Sequence, residues 1–280
     1  MTIIVHGATG AQGSPVLAGL AAAGHSPTAA IRDSAKVAGP SLSIDNASVD
    51  SLVQAYAGAD AVFVHLPLAS PDQQLAYAKA IGQAVSQARP GRVVFSTSGY
   101  PTALPDGTPT AHGVLAESLA ASGVSYALIA PQVFLENLLL PVTLGPARED
   151  GVLRYPIRDD YPVSWISHLD MADIAVRLLT DDSVTGVVTA GALPPLLGED
   201  VAQGFARYFA SPVVFEAQDP EAYGELIIPL FGADGARPVV DSYHFRWTMP
   251  GEVIDEERSA QKLLGITPRS VESWLGELAV

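Results

Sequence analysis

Apolar and polar positions along the chain follow two rhythms that take turns. Short apolar runs recur at Ile3-Ile4-Val5, Pro27 to Ile31, Ser41 to Ile44, Ala61 to Val64, Arg92 to Phe95 and Ser125 to Ala130. Between them lie stretches whose apolar residues fall three or four apart: Val16, Leu17 and Leu20, the segment 49–57, and Leu75, Ala78, Ile81 and Val85 within 71–88. The segment 111–121, entered through Thr110 as N-cap, continues the series. Brief apolar runs bounded by turn residues mark buried strands, and the 3.6-residue period marks helices. A β-α-β-α alternation predicts an α/β fold with a doubly wound parallel sheet and right-handed crossovers.

Past Asn137 the alternation loosens. Strands are expected at 151–155, 187–190 and 213–216, and helices at 169–179, 201–209 and 220–231. A last helix is expected with Thr267 as cap and Pro268 at its first position. This pattern predicts a Rossmann-type domain over 1–135, completed by parts of 160–190, and a smaller α/β substrate-binding region or lid over 136–280.

The punctuation after the first run brings in chemistry. Ile3-Ile4-Val5-His6 breaks into Gly7-Ala8-Thr9-Gly10-Ala11-Gln12-Gly13 and passes straight into a helical period. A dinucleotide site needs glycine at three such places: for the turn off the strand, for backbone approach to a diphosphate, and for packing helix on strand. The N–H groups that open the helix face the phosphates, with the positive end of its dipole behind them. Thr9, Ala11 and Gln12 complete this candidate cradle.

Ligands of open parallel sheets lie beyond the strands' carboxyl ends, so the residues there are the next candidates. The second strand ends at Arg32, with Lys36 four residues on. A cation at this tip pairs a ribose 2′-phosphate, whereas an acid would take the 2′-hydroxyl, so NADP(H) is expected ahead of NAD(H); Asp33 keeps the latter open. Asp45 follows the third strand, near an adenine edge. His65 and Leu66 follow the fourth, although His65 also reads as a packed structural histidine. Ser96, Thr97, Ser98 and Tyr100 follow the fifth, placed for a nicotinamide carboxamide and a substrate carbonyl. His112 falls in the first turn of the next helix, where the dipole disfavours an imidazolium; it reads as a proton donor, with Tyr100 the competing donor, or as packing above Leu115 and Leu119. Phe134 and Asn137 are the candidate substrate contacts.

Composition narrows the function further. The 280 residues carry a formal charge of −15, which disfavours nucleic acid and anionic membranes, since both need a basic footprint. No cysteine is present, which removes disulfides, thiolate nucleophiles and cysteine metal sites. No His-x-x-x-His stands out, and no metal is expected. No apolar run reaches the roughly 18 residues of a membrane span, and the chain opens directly on its first strand, so a cytoplasmic protein is expected. The expected partner is a small-molecule substrate, and a homodimer is left open.

Taken together, the glycine turn, the Arg32-Asp33 tip and three further segments resemble the NmrA-like group of atypical short-chain dehydrogenases/reductases, which includes isoflavone-reductase-like and quinone-reductase-like proteins. Those segments are Ser122 to Ile129 leading to Phe134-Leu135-Glu136-Asn137, Asp170-Met171-Ala172-Asp173-Ile174-Ala175, and Leu264-Gly265-Ile266-Thr267-Pro268-Arg269-Ser270. The resemblance implies a Rossmann-type sheet, a small carboxyl-terminal substrate region and NADP(H). One feature departs from the wider superfamily, whose reductases pair a tyrosine with a lysine four residues later. The lysines here are Lys36, Lys79 and Lys262, preceded at that spacing by Arg32, Leu75 and Arg258, so the pair is absent. His112 falls about where isoflavone-reductase-like relatives carry a lysine. Two functions remain in view: a reductase of small, largely apolar quinones, enones or carbonyls, and a non-catalytic NADP(H) sensor, which the NmrA-like group also includes.

Overall fold

The structure, a computed structural model, describes residues 1–33, 37 and 39–280. In chain order the strands are β1 (Ile3–His6), β2 (Thr28–Ile31), β3 (Ser41–Ser43), β4 (Ala61–His65), β5 (Arg92–Ser96), β6 (Ser125–Pro131), β7 (Val152–Tyr155), β8 (Gly186–Ala190) and β9 (Val214–Ala217). The helices are α1 (Gly13–Ala22), α2 (Val49–Tyr56), α3 (Pro71–Ala88), α4 (Ala111–Ser122), α5 (Pro141–Glu149), α6 (His168–Thr180), α7 (Gly198–Phe209), α8 (Pro220–Thr248), α9 (Ala260–Leu264) and α10 (Val271–Leu278).

Seven strands form one sheet in the order β3-β2-β1-β4-β5-β6-β8, and every pairing in it is parallel. Strands covered on both faces have no use for polar alternation, which is why β1, β4 and β5 read as unbroken apolar runs. Ile4, Val62, Val64, Val93 and Phe95 pack with Leu52, Ile81, Val85, Leu115 and Leu119 of α2, α3 and α4. The intervening Ile3, Val5, Phe63 and Val94 are equally buried, on the side where α1 packs against α6. Order reverses between β1 and β4, so the carboxyl ends of these two strands flank the crevice where such sheets take ligands. The expected α/β doubly wound sheet is therefore present.

The chain divides into two compact units. The first joins 1–131, 168–190 and 256–266; the second joins 132–167, 191–255 and 267–280. In the second, β7 and β9 form a two-stranded parallel sheet. Its core is aromatic: Tyr155 meets Trp165, Tyr223 and Tyr243 at ring separations of 5.6, 5.9 and 5.4 Å. α10 packs on α7 where Gly204 lies so close to Val271 that a Cβ would come within 2.5 Å.

Two expectations need correction here. The terminal helix is capped by Ser270, whose side chain accepts from the Ser273 backbone N–H, so Thr267 and Pro268 lie outside it; the serine hydroxyl supplies the cap and Val271 begins the helix. The helix expected to end at 231 instead resumes after a break at Gly232 (φ 74°) and runs to Thr248. Glycine adopts that left-handed conformation without the cost a side chain would add, so the chain bends there rather than stops. Among the described residues, no helix is long and apolar enough to cross a membrane.

Candidate functional site

The glycine turn is built as its spacing demands. Gly7 leaves β1 at φ +59°, and the Gly10 N–H donates to its carbonyl at 2.7 Å. A Cβ on Gly13 would fall 2.3 Å from that same carbonyl oxygen and 2.5 Å from the His6 carbonyl oxygen, so this glycine allows α1 to sit against the strand end. Gly10 differs. A Cβ there would meet only the Gly7 oxygen, at 3.2 Å, and Thr9, Gly10 and Ala11 are exposed. No side chain caps α1, whereas Ser48, Ser70, Thr110 and Ser270 cap the helices that follow them. The start of α1 thus carries no side-chain cap and lies beside an open glycine, an arrangement suited to an anion.

Gln12 joins this turn to the loop after β5. Its side-chain Nε2 donates to Ser98 Oγ at 2.8 Å, and the Ser96 hydroxyl donates to its Oε1 at 2.8 Å. The Ser98 backbone N–H donates to Ser96 Oγ at 3.2 Å. That N–H can only donate, so Ser96 Oγ is the acceptor of this bond. Ser98 is held at φ +59°, a conformation that costs a non-glycine residue of order 1 kcal/mol or more. Thr97, buried, donates its N–H to Ile129 O at 3.0 Å. The sequence assigned Gln12 to a ligand; the structure commits both ends of its amide to the β5 loop.

Three histidines converge electrostatically on His65. It closes β4 with its ring against the first glycine: a Cβ on Gly7 would lie 2.2 Å from His65 Nε2. That Nε2 is buried with no hydrogen-bond partner, while Nδ1 stands 3.4 Å from the carbonyl oxygen of the buried Leu66. Burial pushes the pKa of His65 below the usual value. Burial, followed by the proximity of His65, also lowers His6 to about 3, His112 to about 4 and His168 to about 4. His6 is further held by Tyr56, whose hydroxyl is 2.9 Å from its Nε2. Neither His6 nor His168 was singled out from the sequence, although His6, a polar residue closing an apolar strand directly before the glycine turn, carried a legible signal.

His112 lies between two rings. Phe95 stacks on it at 6.1 Å and Tyr100 at 4.8 Å, with interplanar angles of 14° and 11°. The imidazole is 2 % exposed and its Nε2 has no partner, whereas Tyr100 is 44 % exposed and closes the stack from outside. The expected neutral imidazole is present, but for a different first cause: burial, not the helix terminus, leads its depression. An aromatic stack with Phe95 and Tyr100 holds the ring.

The remaining candidates stand apart from these groups of contacts. Arg32 is exposed at the end of β2, its carbonyl accepting from Ser43 Oγ at 3.0 Å. Asp45, also exposed, accepts from the Ala47 N–H at 2.9 Å, so its carboxylate shapes the turn into α2. Lys36 lies outside the described residues. Phe134 and Asn137 belong to the second unit, where Phe134 bridges to Ile166 and Asn137 is exposed. Among the described residues, no group of three or more histidines, aspartates or glutamates is placed to hold a metal ion.

Comparison with known proteins follows this geometry. The profile of the NmrA-like family matches residues 1–249. An NADPH-dependent quinone oxidoreductase of Escherichia coli, solved with NADPH, superposes over 100 % of both chains with a TM-score of 0.75 at 18 % identity. A triphenylmethane reductase of Citrobacter sp., solved with NADP(H), covers 99 % of each chain with a TM-score of 0.78 at 17 % identity. A nucleoside-diphosphate-sugar epimerase of Staphylococcus aureus covers 98 % of this chain and 99 % of its own, with a TM-score of 0.77 at 18 % identity. No curated protein sequence matches the chain.

Proposed function

The chain belongs to the NmrA-like family, and on that premise we propose that it binds NADP(H) at the carboxyl edge of its sheet and reduces a small, largely apolar quinone, enone or carbonyl. The observation that carries the reading is the glycine turn itself: an open Gly10 beside the uncapped start of α1. The residues fit the cofactor, because a diphosphate would find the uncapped start of α1 and a 2′-phosphate would find Arg32. The NADPH and NADP(H) complexes of similarly folded reductases add support.

When bound, the dinucleotide supplies a hydride. The chain's own work is positioning and charge. Gln12 ties the phosphate-facing turn to Ser96 and Ser98, so the loop expected to meet the acceptor moves with the cradle. His112, neutral and fixed by the Phe95–Tyr100 stack, can donate one hydrogen bond to an oxygen that gains charge. A quinone or enone delocalises that charge and needs orientation more than a strong acid, which suits a site without the tyrosine–lysine pair. The acidic balance of the chain fits a small-molecule partner in the cytoplasm rather than nucleic acid or a membrane.

The test is loss of NADPH absorbance by the purified protein against a panel of quinones, enones and aldehydes. Turnover with any of them supports the reductase. The missing pair favours one second reading, a non-catalytic sensor of NADP(H) redox state. Tight binding without turnover, and unequal affinity for NADPH and NADP⁺, would establish that reading instead.

A further inference from the structure

The one polar atom of the described edge that lies against the glycine turn, buried and without a partner, is His65 Nε2. Its tautomer follows from its other nitrogen. Nδ1 faces the Leu66 carbonyl oxygen at 3.4 Å, and an oxygen acceptor requires the hydrogen on Nδ1, so Nε2 carries the lone pair. A lone pair next to a phosphate oxygen sets two acceptors against each other, and only a proton between them makes a bond.

We propose that His65 is a proton-linked anion contact of the glycine turn: neutral in the free protein, it takes one proton from solvent onto Nε2 when the diphosphate of the dinucleotide is bound. This rests on the cofactor reading above and deepens it. The titratable groups that feel His65 from the elements around it are His6 at the end of β1, His112 on α4 and His168 on α6, with the Phe63 ring 6.1 Å away on its own strand. All are histidines or apolar. None of the described residues that act on it supplies a carboxylate, so burial holds the free imidazole neutral. A diphosphate brings the missing counter-charge. The imidazolium then donates to the anion through Nε2 and to Leu66 through Nδ1, and the orphaned atom is satisfied. The proton is added and no bond to carbon changes.

The sign follows. A group whose pKa rises on binding takes up a proton in the window between its free and bound values, so affinity strengthens as pH falls through that window, by up to about tenfold per pH unit. Calorimetric titration of the intact protein with NADPH, in buffers of different ionisation enthalpy, measures the uptake, and His65→Gln is the control. The 2′-phosphate of the ligand titrates equally in both proteins and cancels in the difference. We expect the wild type to take up more protons than His65→Gln near pH 6.5, by about half a proton or more, and the affinity gap between the two proteins to narrow toward pH 8. A ring-proton NMR titration of His65 in the wild type, with and without NADPH, reads the same event without relying on a substitution, and should show the pKa rising on binding. Equal uptake in both proteins with an unmoved His65 titration overturns the proposal and leaves the cofactor reading standing; so does an affinity loss constant across pH, which would make Nε2 a neutral acceptor for a ribose hydroxyl. Failure of NADPH to bind the wild type at any pH overturns both.

Discussion

At the scale of single residues, charge and burial sort the candidates. Arg32 is an exposed cation at the tip of β2, and its proposed role is one charge-assisted bond to a 2′-phosphate. Arg32→Ala should weaken NADPH binding by about 1.5–3 kcal/mol and leave NADH nearly unchanged, as parallel titrations of the two cofactors would show. Equal losses, or none, would remove Arg32 from the site. His112 and Tyr100 share one stack and differ in what each can give: a buried imidazole already oriented, or a hydroxyl open to solvent. If His112 donates to the acceptor oxygen, His112→Ala should lower kcat about 10²-fold or more while NADPH affinity holds, and Tyr100→Phe, which keeps the stack, should cost far less. The reverse order in steady-state kinetics would transfer the role to Tyr100. These residues were legible as candidates because strand ends can be counted in the sequence. Their partners were not: the Gln12–Ser96–Ser98 ring closes over more than eighty residues of separation, and the His65 contact with Gly7 depends on β4 lying beside β1.

At the scale of elements, the glycines of one turn serve two different ends, and substitution should separate them. A methyl group on Gly13 would enter the Gly7 and His6 carbonyls at 2.3 and 2.5 Å, which are backbone atoms that cannot swing aside. Gly13→Ala should therefore destabilise the strand–helix junction by roughly 1–3 kcal/mol, read as a lower urea midpoint. Gly10 has only the Gly7 oxygen near, at 3.2 Å, so Gly10→Val should leave the circular dichroism intact yet abolish calorimetric binding of NADPH. Retained affinity would mean that the dinucleotide lies elsewhere. Most of the sheet could be read in advance, since strands buried on both faces announce themselves as apolar runs and serine or threonine caps announce the helices between them. The second unit was harder. α5 carries an internal Pro146 and α8 two internal prolines and a break, so neither shows a helical period sustained over its length; packing rather than local propensity forms them.

For the molecule as a whole, sequence order and spatial order part company. Residues 256–266 return to the first unit, where Ser259 bridges to Thr189 of β8 and Ala260 is fully buried, so the large unit is complete only after most of the smaller one has been made. That large unit holds four histidines with lowered pKa values: His6, His65, His112 and His168. Each would titrate near 6.5 in the unfolded chain, while in the fold His6, at about 3, and His112 and His168, at about 4, stay neutral well below that. The unfolded state therefore binds more protons between roughly pH 6.5 and pH 4, so their contribution to stability is complete above pH 6.5 and is lost as pH falls through that window. Between pH 6.5 and pH 5 the loss should be on the order of 1 kcal/mol per histidine. Relief of self-repulsion in a chain of charge −15 works in the opposite direction as carboxylates protonate, so a single curve of stability against pH would mix the two. Urea midpoints of the wild type and His6→Gln at pH 7.5 and pH 5 separate them, because the carboxylates are common to both proteins. The variant should be less stable at pH 7.5, having lost the Tyr56 bond of the imidazole, but should lose less on acidification. An equal loss in both would mean that His6 is already protonated in the fold, or still neutral in the unfolded chain, over that range.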